Sequence, residues 1–138
     1  MTTQEQPTME DLFGPVISSY SRAQGIEDGI LVDVTEWASA EKGFLGGFTC
    51  PVAVTRSVWS DLENIPPSKK GWQDLRGRAH DLLFMASLAA RKANSKTGGV
   101  LFGMILYVGR RSKQVYKLHA GPGDDGKLVI TISQRNED

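Results

Sequence analysis

The sequence predicts an α+β domain: an antiparallel or mixed sheet of four to six strands, one long amphipathic helix at about 72–93 packed on a face, and short helices at the periphery. Three observations predict it. One segment, GWQDLRGRAHDLLFMASLAARKA at 71–93, is long enough and patterned enough to cover a sheet. The last third of the chain holds three apolar or alternating runs divided by glycine-rich turns. Residues 16–35, VISSYSRAQGIEDGILVDVT, read as a short strand, a short helix and a second strand in close succession.

In the long segment, Trp72, Leu75, Ala79, Leu82, Leu83, Ala86, Ala89, Ala90 and Ala93 recur in steps of three and four, the spacing of a helical stripe. Asp74, Arg78, Asp81 and Lys92 fall on the opposite side, with Arg76, His80 and Arg91 on a flank. After a loop at 94–99, residues 100–108 are apolar at nearly every position and predict a central strand buried on both faces. Residues 109–112 then form a hairpin turn. Strands at 113–120 and 127–134 follow, joined by Gly-Pro-Gly-Asp-Asp-Gly, with Leu128, Ile130 and Ile132 on one face. The C-terminal third is thus a three-stranded meander under the long helix.

Towards the N-terminus, residues 1–12 are polar and without hydrophobic period, which predicts a loose tail before one domain at 13–138. Residues 16–19 predict a strand. Ser21 and Gln24 have the spacing of a capping box, in which each side chain satisfies a backbone N–H of the other, and Gly29 is placed to end the helix with a left-handed residue. Residues 30–34 predict the next strand. Thr35 is the expected cap of a helix running through Glu41 and stopped by Gly43, and residues 44–48 the expected turn. Pro51 interrupts a candidate strand at 48–54, Thr55 caps a helix at 56–63, and Asn64-Ile-Pro-Pro ends it because a residue before proline is driven out of the helical region.

The charge layout is the most informative feature of the composition. Residues 1–63 hold three Lys/Arg against ten Asp/Glu, whereas residues 64–138 hold thirteen against six, so a net charge of zero conceals a bipolar chain. Gathered on one surface, the later cations would present a basic face to nucleic acid or to an acidic protein. The alternative is neutralisation of one half by the other across the fold. Arg76, Arg78, Arg91, Lys92, Arg110, Arg111, Lys113 and Lys117 are the candidate macromolecule-binding residues.

Several chemistries lack their residues. A single cysteine, Cys50, cannot form an internal disulfide or a thiolate metal site, and it precedes a proline in an apolar strand, the setting of an inert buried thiol. A reducing, cytoplasmic setting is expected, with no cofactor. His80 and His119 have no spacing that would join them at a metal, and no GxSxG elbow or phosphate loop is present. The carboxylate pairs Glu27/Asp28 and Asp124/Asp125 are expected to face solvent. The N-terminus has no apolar core of a secretory signal, and residues 100–108 are too few to span a bilayer as a helix, so no membrane role is expected. A second candidate site is Tyr20, Ser21 and Arg22, at a strand exit and helix start, where unpaired N–H groups and a forked guanidinium could receive a phosphate or carboxylate. Capping by Ser21 and pairing of Arg22 with a nearby acid is the competing account.

The segments SSYSRAQGIEDGILVDVT, GGFTCPVAVTRSVW and GWQDLRGRAHDLLFMA resemble a family of small, functionally uncharacterised proteins encoded by bacterial phages, plasmids and integrative elements. The resemblance implies an accessory protein of a mobile element, expected to be non-catalytic and to bind a host protein, nucleoprotein complex or nucleic acid, with inhibition of host immunity as the role suggested. The run from Tyr20 to Gly29 is also similar to the first strand and helix of ADP-ribosyltransferases that use NAD, which implies a nucleotide-type ligand at Tyr20–Arg22. The Ser-Thr-Ser strand and the Glu-x-Glu of that family have no counterpart here.

Overall fold

The computed structural model describes residues 21–39, 47–71, 73–92, 99–108 and 111–137, with the backbone alone at residue 111. The predicted strand at 16–19, the helix stop at Gly43, most of the turn at 44–48 and the hairpin turn at 109–110 lie outside these residues.

Local signals act as read at most helix ends. The first helix, α1 (Arg22–Glu27), begins at Ser21, whose Oγ accepts from the Gln24 amide at 3.0 Å while Gln24 Oε1 accepts from the Ser21 amide at 3.1 Å, completing the capping box. Gly29 follows with φ +81°. Strand β1 (Leu31–Asp33) leads into α2 (Thr35–Ala38), which departs from expectation. Thr35 is inside the helix rather than capping it: its hydroxyl donates to Asp33 Oδ1 and accepts from the Val52 amide at 3.0 Å, so it ties two strands together. The helix stops at Ala38 because the Ala38 carbonyl accepts from the Phe48 amide at 2.6 Å and Ser39 turns extended to bridge Phe48.

Strand β2 (Val52–Thr55) starts after Pro51, later than predicted. Thr55 Oγ1 accepts from the Val58 amide and caps α3 (Arg56–Glu63), which buries Val58 and Leu62. A 3₁₀ turn (Pro67–Lys69) precedes α4 (Leu75–Lys92). Asp74 Oδ1 accepts from the Gly77 amide at 2.7 Å, which sets the start of α4 three residues beyond the predicted one. The remaining strands are β3 (Gly99–Val108), β4 (Arg111–Pro122) and β5 (Leu128–Gln134).

Among the described residues the sheet has five strands in the order β1-β2-β5-β4-β3. All neighbours are antiparallel except β2 and β5, which run parallel with Val54 opposite Ile132. The mixed α+β architecture and the C-terminal meander agree with the sequence reading. The place of β3 does not. It lies at the sheet edge, and its burial alternates: Phe102, Met104, Leu106 and Val108 are buried, while Leu101, Gly103 and Ile105 are exposed. The reason is topological: β5, the last strand of the meander, pairs with β2 and takes the central place, which leaves β3 at the meander's other side.

The core lies between the sheet and α3 and α4. Ala79, Leu82, Leu83, Ala86 and Ala89 of α4 pack over the even-numbered residues of β3 and over Tyr116 and Leu118 of β4. Each fully buried Leu or Val side chain here contributes roughly 1.5–3 kcal/mol relative to exposure. Because α4 and β3 run in opposite directions, the start of the helix lies beside the end of the strand.

Candidate binding surface

Among the described residues, the cations read from the sequence do not come together as a group. Arg76 projects from the first turn of α4 and is exposed, whereas Arg91 and Lys92 are exposed in its last turn, about 22 Å further along at 1.5 Å per residue. Lys113 and Lys117 belong to the sheet face turned away from α4, opposite Ile105 and Leu101 of β3, and Lys117 Nζ donates to the Glu137 carbonyl at 2.8 Å. Arg110 and the Arg111 side chain lie outside the described residues.

Arg78 is the clearest departure, for it is 3% exposed and cannot serve a surface. Its Nε donates to the Leu62 carbonyl at 2.9 Å, Nη2 to the carbonyls of Asp61 (2.7 Å) and Tyr107 (2.8 Å), and Nη1 to Gln73 Oε1 at 3.0 Å. Burial pulls its pKa down from the ordinary arginine value, and Tyr116 and Asp61 partly restore it. A planar fork of donors suits this position because the end of α3, the start of α4 and the end of β3 all offer carbonyls there. Beside it, buried Asp61 accepts through Oδ2 from Tyr116 Oη (2.9 Å) and Gln134 Nε2 (3.1 Å).

Where α4 begins and β3 ends, the surface is concave. A cleft of about 670 Å³ is lined by Gln73, Arg76, His80, Asp81, Ile105 and Tyr107 among others. A more apolar groove of about 560 Å³ continues from it, sharing Asp81 and Ile105 and adding Phe84, Met85, Gly103 and Lys113. Lys113 reaches this edge beside Gly103, where a Cβ would lie in ordinary contact, 3.8 Å from Lys113 Cε. Two cations lie near aromatic faces at this end: Lys69 Nζ is 4.3 Å from the centre of the Tyr107 ring, and Arg76 Cζ is 6.0 Å from that of Trp37. Sequence reasoning singled out neither Lys69 nor Tyr107; the Lys-Lys pair just before a helix was the available signal.

At the second candidate, Tyr20 lies outside the described residues, and Ser21 and Arg22 are engaged internally. The Asp124 carboxylate accepts from the amides of Arg22 (2.9 Å) and Ala23 (3.0 Å), so a side chain of the chain itself occupies the helix start. These bonds hold the Asp124 pKa below the ordinary carboxylate range. The Arg22 guanidinium donates to Thr131 Oγ1 and to the Ile130 carbonyl, both at 2.7 Å, clamping α1 onto β5. The adjoining cleft of about 290 Å³ carries Asp33, Asp124 and Asp125, a poor lining for a phosphate.

Cys50 is half-buried, and desolvation raises its pKa while Arg22 opposes the rise, which disfavours the thiolate. Among the described residues no group of three His, Cys, Asp or Glu is placed to hold a metal ion, and no helix is long and apolar enough to cross a membrane.

A family model described as a family of unknown function, DUF6573, matches residues 9–138. No curated protein and no solved structure matches the chain.

Proposed function

The chain belongs to the family of unknown function DUF6573, and on that premise we propose that it is a non-catalytic accessory protein of a mobile genetic element that binds a host macromolecule through a basic surface. The site is the end of the molecule where α4 starts and β3 finishes. Arg76 stands at its rim, Lys113 reaches into the adjoining groove, and Val108 pairs at the same end with Arg111, where β4 begins. Arg91, Lys92 and Lys117 are secondary by position, and Arg78 serves the fold. The target is a host protein or nucleoprotein complex in the cytoplasm, and inhibition of host immunity is the role that fits an accessory gene of this kind.

The observation that carries this reading is the continuous concavity between α4 and β3, polar at one end, where Arg76 stands among Asp74 and Asp81, and apolar along its length. Such a surface supplies both an electrostatic approach and apolar area to bury. The reading at Tyr20–Arg22 has no comparable support, since the donors there are already bonded.

The test is a pulldown from host extract, with and without nuclease, followed by binding to the purified partner. Replacing Arg76 and Lys113 together by Glu is expected to weaken that binding about tenfold or more, because each reversal removes an exposed attraction of up to about 1 kcal/mol and sets a repulsion in its place. Wild-type binding is expected to fall with rising salt. Binding unchanged by the charge reversal overturns the assignment of this surface.

A further inference from the structure

The two edges of the sheet are unlike. One is β1, three residues long and ending in Asp33; the other is β3, ten residues long, GVLFGMILYV, without one charged residue or proline. Exposed edges ordinarily carry lysine, proline or a bulge, or are very short, because a row of unpaired N–H and C=O groups otherwise recruits another strand. Among the described residues no strand lies on the outer side of β3. Its one irregularity, a register shift between Ile105 and Val108, leaves the seven residues 99–105 regularly paired to β4.

We infer that two copies of this chain pair through β3, antiparallel about Gly103, joining their sheets into one. The pattern of β3 is self-complementary in that register. Leu101 and Ile105 are 49% and 63% exposed, sit on the same face, and flank Gly103 symmetrically. A two-fold axis at Gly103 places Leu101 opposite the second copy's Ile105 twice over, and Phe102 opposite Met104 on the other face. Each residue contacts the one that contacts it, as an isologous interface requires.

The helix agrees with the same axis. Gly103 lines the groove together with Phe84 and Met85 and so lies level with the middle of α4. Antiparallel apposition about this level runs the two copies of α4 in opposite directions beside the joined strands. The apolar groove of each copy then opens onto its counterpart. The two Lys113 side chains flank the axis on the outer face, where water and salt screen them. This inference stands on β3 and α4 and uses the apolar groove that host binding would also bury, so the test below tells the two occupants apart.

The full chain is examined by light scattering after size exclusion across a range of concentrations, with a particle of twice 15.1 kDa expected at the higher ones. Ile105→Lys is expected to give monomer with an unchanged circular dichroism spectrum, while Leu128→Lys, which alters an exposed leucine on another strand, leaves the dimer in place. Geometry is tested by Gly103→Cys in a Cys50→Ser background. A Cβ at residue 103 meets its neighbours at 3.7 Å or more, and an antiparallel partner Cα at roughly 4.5–5.5 Å is within disulfide reach. Oxidation is expected to link two chains, whereas Ile105→Cys in the same background, four residues out of register with itself, does not. A chain that stays monomeric with its fold intact overturns the inference. So does a dimer that survives Ile105→Lys and fails to cross-link at residue 103, or a monomer whose binding to a host partner is what Ile105→Lys abolishes.

Discussion

Arg78 Nη2 lies 2.8 Å from the carbonyl oxygen of Tyr107, joining the first turns of α4 to the irregular end of β3. The register of β3 against β4 shifts by one residue between Ile105 and Val108, and a bulge of this kind leaves backbone groups without ladder partners. Arg78 takes up the Tyr107 carbonyl, and buried Gln114 takes up that of Leu106 through Nε2 at 3.1 Å. The same guanidinium also holds the carbonyls of Asp61 and Leu62 at the end of α3. One side chain thereby fixes how three elements meet beneath the proposed binding surface.

Arg78→Met is expected to destabilise the fold by about 2–4 kcal/mol, because several buried acceptors lose their donor at once and each buried unsatisfied group costs about 1–3 kcal/mol, offset in part by the charge no longer buried. Arg78→Lys is expected to recover less than half of the loss, since an ammonium cannot reproduce the planar fork. Urea denaturation followed by tryptophan fluorescence measures both. A change under about 0.5 kcal/mol, the size usual for an ordinary surface substitution, would contradict the structural role given to Arg78.

Tyr116→Phe removes the hydroxyl that donates to Asp61 Oδ2 at 2.9 Å and leaves that buried carboxylate with Gln134 Nε2. The expected loss is about 1–3 kcal/mol, in the range for removing one donor from a buried charged acceptor. Tyr116→Phe and Gln134→Leu share that acceptor, so their effects should not add, and a double-mutant cycle in the same denaturation assay reads the difference. Strict additivity would show that the two donors act independently.

Asp124 gives the acid limb of stability. Bonding to the amides of Arg22 and Ala23 favours its charged form, so its folded pKa lies below the unfolded one. A depressed carboxylate contributes fully above its unfolded pKa and loses that contribution as pH falls through its folded value. Wild type should therefore lose protection of the α1 amides on acidification below about pH 4. Asp124→Ala should show weaker protection at neutral pH and a flatter acid limb. Hydrogen exchange followed by NMR at several pH values checks this, and identical limbs in the two proteins would refute it.

Gly29 is tested with little steric interference. Its φ is +81° and nothing lies within 4 Å of the place a Cβ would occupy, so Gly29→Ala reports backbone conformation alone. The left-handed region disfavours an L side chain by about 1–2 kcal/mol, the expected loss in thermal or urea unfolding. No loss would mean that the chain leaves α1 by another conformation.

What the sequence by itself determined is what neighbouring residues decide among themselves. Ser21 with Gln24, Thr55 before α3, Gly29 after α1, the apolar stripe of α4 and Gly126 in the hairpin before β5 all act over a few residues, and each is found in the role read from its spacing. The apolar run at 100–108 likewise announces a strand, but nothing local records which strands will stand beside it. Only the tertiary structure decided that β5 would pair with β2, from the far end of the chain, and leave β3 at the rim. Arg78 passed from candidate surface cation to buried clasp for the same reason. Its partners are carbonyl groups at residues 61, 62 and 107, which any sequence would supply and which only folding brings within reach of one guanidinium.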